Sequence, residues 1–335
     1  MKVLMLGGTR FIGLRLLRAL AREGHQVTIL NRGKTEATLP EGVERLYADR
    51  RDPAAVRRAL AGREEGFEAI FDMTGYQVRN LEPIVEMFNG RIKHYVFCST
   101  AGVYAKSVTL PVLERFPYRS KVGTAPGLAS YTAEKVQCEE FLLDTNRTKG
   151  WPATILRPAA IYGPENWMDD REGSYFARLL LGRKILVGGT GESLIHIGHV
   201  DDFARACIAA AQSDASIGQA YNINGSEAVT ANGLVDIIAS VVGAKAEKVY
   251  VPYGQAKGSM DGIMPLEGER NAIYSIQKAR DHFGFWPRFD FRAGIADTYE
   301  WWRKQRGLER IEFTPGKLGH DVDLAYEDQM IKRWG

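Results

Sequence analysis

Tyr131 and Lys135 lie four residues apart in a segment, Tyr131–Lys149, whose apolar spacing predicts a helix. Residues at that separation share one helix face. An ammonium beside a phenol favours phenolate and lowers a pKa that starts near about 10. A tyrosine tuned in this way moves protons to and from oxygen near neutral pH. Thr100 follows the strand-like run Tyr95–Cys98, and its hydroxyl is expected to hold a substrate oxygen beside the phenol. Such a trio suits redox chemistry at a carbon–oxygen centre, where hydride moves on one side and Tyr131 handles the proton on the other.

Hydride needs a carrier, and the first residues suggest one. The apolar run Lys2–Leu6 leads into Gly7-Gly8-Thr9-Arg10-Phe11-Ile12-Gly13 and then an amphipathic segment. Gly7 permits a tight turn, Gly8 a close approach of backbone to phosphate, and Gly13 close packing of helix on strand. The helix start then offers free N–H groups to a pyrophosphate. At the end of the next strand an acid would grip the ribose 2′-hydroxyl of NAD, but here the residues are Asn31-Arg32-Gly33-Lys34. Arg32 and Lys34, with Arg10 from the glycine loop, favour the 2′-phosphate of NADP, with NAD possible. Asp49 and Arg50 follow the third strand and are candidate cofactor residues, Asp49 reading equally as an adenine contact or a helix cap.

These groups need a sheet to position them. Strand candidates are Lys2–Leu6, Gln26–Leu30, Glu44–Tyr47, Ala69–Phe71, Tyr95–Cys98 and Ala153–Leu156. Amphipathic segments Phe11–Glu23, Pro53–Ala61, Val78–Phe88 and Tyr131–Lys149 alternate with them, and Asp52 is placed to cap Pro53. Alternation of this kind predicts right-handed βαβ units. The strands are apolar without clean alternation, as when both faces are covered. The fold class expected is α/β, a Rossmann doubly wound parallel sheet with a smaller α/β lobe over the substrate. The Rossmann domain is expected from 1–160 plus about 200–225, and the lobe from about 161–199 plus 226–335. Ala160–Gly173 reads as a loop. Tyr175–Leu181 and Val200–Ala211 read as helices, Ile185–Val187 and Ala220–Ile223 as strands, and the tail after Glu309 as a polar surface wrap.

Composition sets the outer limits. The 335 residues are 45% hydrophobic and 25% charged, ordinary for a globular chain. No apolar run is long enough to span a membrane, and the N-terminus reads as a strand, not a signal peptide. Cys98, Cys138 and Cys207 form no CxxC pair, which favours a reducing cytoplasm. A net charge of +3, and arginines interleaved with acids at 49–65, argue against a nucleic-acid partner. His196 and His199 precede Asp201 and Asp202, but the stretch reads as structural, and no metal is expected.

The order of motifs resembles the extended short-chain dehydrogenase/reductases, the NAD-dependent epimerase/dehydratase group. Those motifs are Gly7–Gly13, Ser99–Tyr104, Tyr131-Thr-Ala-Glu-Lys135, Leu156-Arg157-Pro158 with Ile161–Pro164, and His199–Ala204. The resemblance implies Tyr131 as acid/base, Lys135 on the nicotinamide ribose, Thr100 orienting substrate and Pro158 near the nicotinamide. It also implies a homodimer through Val78–Phe88 and Tyr131–Lys149. The loop Gly-Gly-Thr-Arg-Phe-Ile-Gly resembles a branch that includes plastid stem-loop RNA-binding proteins. An arginine that grips nucleotide diphosphate in many members is replaced within Ile195-His196-Ile197-Gly198; Arg183, Lys184 and Arg270 are the available substitutes. Asn166–Asp170 falls where the family lines its substrate pocket. The function expected is a sugar or nucleotide-sugar epimerase or dehydratase, acting on a small molecule. The alternatives are an NADPH-dependent ketone or aldehyde reductase, and an RNA-binding or NADP-sensing protein on the same fold.

Overall fold

The structure, a computed structural model, describes residues 1–119, 128–166, 171–255, 271–305, 317–318 and 322–335. The chain divides into two compact units, 1–159 with 201–223 and 275–286, and 160–200 with 224–274 and 287–335.

The first unit is built on six strands in chain order, β1 Lys2–Leu6, β2 Gln26–Asn31, β3 Glu44–Tyr47, β4 Ala69–Asp72, β5 His94–Cys98 and β6 Ala153–Pro158. A seventh strand, Gln219–Ile223, completes the sheet in the order β3-β2-β1-β4-β5-β6-(219–223). Every pairing is parallel. The order reverses between β1 and β4, and doubly wound folds bind ligands at the carboxyl edge of such a reversal. Val3, Leu4, Met5, Ile70, Phe71, Val96 and Phe97 are fully buried, which explains why these strands read as apolar runs.

Four helices join the strands: α1 Phe11–Arg22, α2 Pro53–Leu60, α3 Val78–Phe88 and α4 Leu128–Lys149. Leu14, Leu16, Leu17 and Leu20 form the buried stripe of α1. Asp52 caps α2 as its composition predicts, accepting from the N–H groups of Ala54 at 3.0 Å and Ala55 at 3.1 Å, with Pro53 in the first turn.

The second unit has its own core of Tyr175, Phe176, Leu234, Val235, Ile238 and Trp302. Ile185–Gly188 pairs in parallel with Lys248–Val251, and Ala160–Tyr162 with Ile197–His199. Several expectations need correction here. The stretch from Ala160 is not all loop: it opens with a strand, and a helix starts at Glu172 rather than Tyr175. Glu172 is buried because its carboxylate accepts from the Gly163 N–H at 3.1 Å and from Asn166 Nδ2 at 3.0 and 3.1 Å. The tail is not a plain surface wrap. Its described part includes a helix, Leu324–Trp334, that buries Glu327 and Met330. Arg178, fully buried, draws Glu327 inward through bonds of 3.0 and 2.6 Å. Finally, Ser275–Trp286 belongs to the first unit, although its sequence position suggested the second.

Candidate active site

The site grows from the turn after β1. Gly7 has φ +110° and Gly8 φ +99°, values an L side chain rarely adopts. A Cβ on Gly13 would lie 3.0 Å from both Cα and N of Gly8, so helix and turn touch backbone to backbone. Phe11 opens α1 at φ +37° while buried. A strained non-glycine of this kind costs about 1–3 kcal/mol and persists where the surroundings over-determine it. The N-terminus of α1 has no side-chain cap and no acid in its first turn. Its free N–H groups therefore suit an anion. Thr9 and Ile12 are half-buried, and Arg10 is exposed. This tight, uncapped turn fits a dinucleotide pyrophosphate.

At the end of β2, Asn31 Oδ1 accepts from the Gly33 N–H at 2.9 Å and from Arg45 at 2.9 and 3.2 Å. Arg45 also donates to the Thr35 carbonyl at 3.2 Å and stands 5.2 Å over the Tyr47 ring. The loop carrying exposed Arg32 and Lys34 is thus held by a β3 arginine that the sequence did not single out. Asp49 binds the Arg51 N–H at 3.0 Å and its guanidinium at 2.6 Å. Those hydrogen bonds hold its carboxyl at about 2, with the Arg32 charge a smaller contribution.

Arg50 does not join this group. Its guanidinium turns inward to Asp72 at 2.5 and 2.7 Å, to Thr74 Oγ1 at 3.0 Å and to the Asn80 carbonyl at 3.0 Å. Tyr95 donates to the same carboxylate at 2.6 Å. Burial alone would raise the Asp72 pKa; the charge and hydrogen bonds of Arg50 overcome it and hold it below the usual range.

At the ends of β4 and β5, Lys135 reaches in from α4. It is 1% exposed, and its Nζ donates to the carbonyls of Gly75 at 2.8 Å and Cys98 at 2.6 Å. The ammonium lies 4.5, 5.1 and 5.8 Å from the ring centres of Phe97, Tyr76 and Tyr131. Burial lowers its pKa, against the raising effect of Cys98 and Asp72. Tyr131 differs from expectation: its phenol pKa is not lowered. Burial pushes it well up, with Cys98 and Tyr76 adding to the effect. Thr100 caps the short turn Ala101–Val103, its Oγ1 accepting from the Gly102 N–H at 3.1 Å. That uses a lone pair and leaves the hydroxyl proton to be donated. Pro158 ends β6, buried and in register with Ile223.

In the second unit, His196 Nδ1 accepts from the Tyr274 N–H at 3.1 Å, so Nε2 carries the proton and donates to the Gly225 carbonyl at 2.8 Å. Burial lowers its pKa, as a neutral structural imidazole requires. Arg183 pairs with Asp328 at 2.5 Å and Lys184 with Glu247 at 2.6 Å. Two of the three substitutes for the phosphate-gripping arginine are thereby engaged. Trp167, Met168, Asp169, Asp170 and Arg270 lie outside the described residues.

Residues 3–224 match the NAD dependent epimerase/dehydratase family. The chain belongs to that family. A family of NAD-dependent enzymes is what the motif order implied. The branch expected from the glycine loop is supported as well. The chain is 31% identical to the chloroplast stem-loop binding protein of 41 kDa b of Arabidopsis thaliana, over 99% of this chain and 84% of that protein. It is 28% identical to a 2-alkyl-3-oxoalkanoate reductase of Stenotrophomonas maltophilia, over 88% of this chain and 97% of that one. Among solved structures, a UDP-glucose 4-epimerase of Thermotoga maritima, solved with UDP-glucose, superposes with a TM-score of 0.75. That match covers 91% of this chain and 99% of the epimerase at 23% identity, and it speaks for the fold. The doubly wound α/β architecture is that of the family. Among the described residues no helix is long and apolar enough to cross a membrane.

Proposed function

We propose that this family member is an NADP(H)-preferring epimerase or dehydratase of a sugar or nucleotide-sugar, with Tyr131 as its proton-transfer residue. The observation that carries the reading is the buried Lys135 ammonium, fixed between two strand-end carbonyls with the Tyr131 ring 5.8 Å away. An ordinary structural lysine keeps its charge in water. One sealed at the carboxyl edge of the sheet, beside a half-buried phenol, suits chemistry better than packing.

When bound, a nicotinamide cofactor supplies the hydride acceptor and donor. Gly7, Gly8 and Gly13 with the free N–H groups of α1 would hold its pyrophosphate, and Arg32 and Lys34 its 2′-phosphate. Lys135 has a third N–H for a ribose hydroxyl. Tyr131 begins protonated, so its first act is to donate a hydrogen bond to the substrate oxygen. It takes a proton from a carbinol only once a nearby positive charge brings its pKa down. Thr100 donates its hydroxyl proton to the same oxygen and fixes its position.

Calorimetric titration of protein stripped of bound nucleotide tests this. NADP(H) is expected to bind at least about tenfold more tightly than NAD(H), and Arg32→Asp to reverse the order. Preference for NAD(H) in the wild type would remove the NADP assignment and leave the hydride chemistry; binding of neither would sink the whole reading. With sugar nucleotides, Tyr131→Phe should lower turnover by about a hundredfold or more while cofactor still binds.

A further inference from the structure

We propose that Tyr76 is a substrate-contacting residue, an aromatic wall against which a sugar ring packs beside Tyr131. The inference rests on the sugar-directed reading above.

Tyr76 follows β4 and belongs to none of the motifs. It is 46% exposed, although its ring centre lies only 6.1 Å from that of Tyr131, at an interplanar angle of 54°. Two bonds to α4 hold it there. On one side the Gly75 carbonyl accepts from Lys135 Nζ at 2.8 Å. On the other, Gln77 Nε2 donates at 2.5 Å to Glu134, which sits between Tyr131 and Lys135 on the helix. The backbone between has no slack. A Cβ on Gly75 would come within 2.8 Å of Leu81 and Phe97 side chains and 3.0 Å of an Asp72 carboxylate oxygen.

A ring pinned this firmly yet left half in solvent contributes little to the core. It does offer what a carbohydrate needs. Pyranose C–H faces pack on aromatic rings, and a phenol both donates to and accepts from hydroxyl groups. Ligand sites typically combine such aromatic surface with a few placed polar groups. Tyr76 and Tyr131 together supply two rings and two hydroxyls next to a fixed positive charge.

The test is calorimetry on protein loaded with its preferred nicotinamide cofactor, titrated with UDP-glucose, UDP-galactose and dTDP-glucose. Tyr76→Ala is expected to weaken the sugar nucleotide that wild type binds by about tenfold, and Tyr76→Phe, which keeps the ring, to retain most of that affinity. The cofactor affinity of both variants should stay within about twofold of wild type. Undiminished sugar binding in Tyr76→Ala would overturn the role of Tyr76 alone. So would parallel loss of sugar and cofactor, because the residue would then act only through Lys135. A wild type that binds cofactor but no sugar nucleotide would overturn the sugar reading and this inference together.

Discussion

Glu139 of α4 and Arg157 of β6 form an ion pair at 2.5 Å with almost no exposure on either side chain, 0% and 2%. Glu139 sits one helical turn beyond Lys135 and two beyond Tyr131, on the same face. Arg157 stands immediately before Pro158. The pair therefore ties the helix that carries Tyr131 and Lys135 to the strand that ends at Pro158. Tyr104 and Tyr118 each meet the guanidinium at 2.8 Å, and Ser99 donates to Glu139, so the charges are well surrounded by partners.

Removing one partner from such a pair leaves an uncompensated buried charge. Glu139→Ala should destabilise the protein by about 3–5 kcal/mol, and the double variant Glu139→Ala, Arg157→Met by clearly less. Urea unfolding followed by circular dichroism measures both. A loss in the double variant equal to the sum of the losses in Glu139→Ala and Arg157→Met alone would show that the pair is not a coupled unit.

Arg50 and Asp72 make the same argument at β4. Arg50→Ala should cost about 3 kcal/mol or more through the stranded Asp72 carboxylate. Asp72 is held below its unfolded pKa, so its contribution is present above about pH 4 and lost as pH falls further. The urea midpoints of wild type and Arg50→Ala should therefore converge as pH falls below about 4. A constant gap down to the acid transition would contradict the pairing.

Several phenols carry raised pKa values. Burial pushes up Tyr95, Tyr104, Tyr118, Tyr131 and Tyr221. The native state keeps protons that the unfolded chain releases above about pH 10. Stability from these groups is thus complete below about pH 10 and declines as pH climbs toward the native values. Urea midpoints should fall steeply between about pH 9.5 and 11.5. In the difference spectrum of wild type against Tyr131→Phe, no phenolate should appear near neutral pH in the cofactor-free protein; an ionisation near pH 7 would refute the desolvated phenol described above.

Gly13→Ala probes the glycine turn. Its added methyl meets Gly8 backbone at 3.0 Å, where no flexible side chain can yield. The turn must open, so cofactor affinity should drop by about tenfold or more, while urea stability falls by only about 1–2 kcal/mol. Unchanged calorimetric affinity would mean that this turn does not grip the pyrophosphate.

The sheet of the first unit was legible because its strands are short, apolar and separated by amphipathic segments with clear caps, as at Asp52-Pro53. Tyr131 and Lys135 were legible for a local reason, their one-turn spacing. Glu139 follows the same spacing and was available to the same argument. Arg50 was not legible as an internal residue, because one arginine in a run of interleaved arginines and acids looks solvated until Asp72 arrives from β4. Tyr76 depends on β4, β5 and α4 meeting, which no window of sequence reveals. In the second unit, Ala160–Tyr162 and Ile197–His199 are three-residue strands that pair with each other across a long separation. Both are too short to carry a periodic pattern, and Ala160–Tyr162 read as loop.

The Arg178–Glu327 contact spans 149 residues of chain. During synthesis at about 5–20 residues per second, the arginine waits about 7–30 s for its carboxylate to emerge. Through that interval Arg178 lacks the Glu327 carboxylate that accompanies it in the folded second unit. The pair can close only once the helix Leu324–Trp334 has been made. A nascent chain stalled before Glu327 should be far more open to protease and chaperone in this unit than the finished protein.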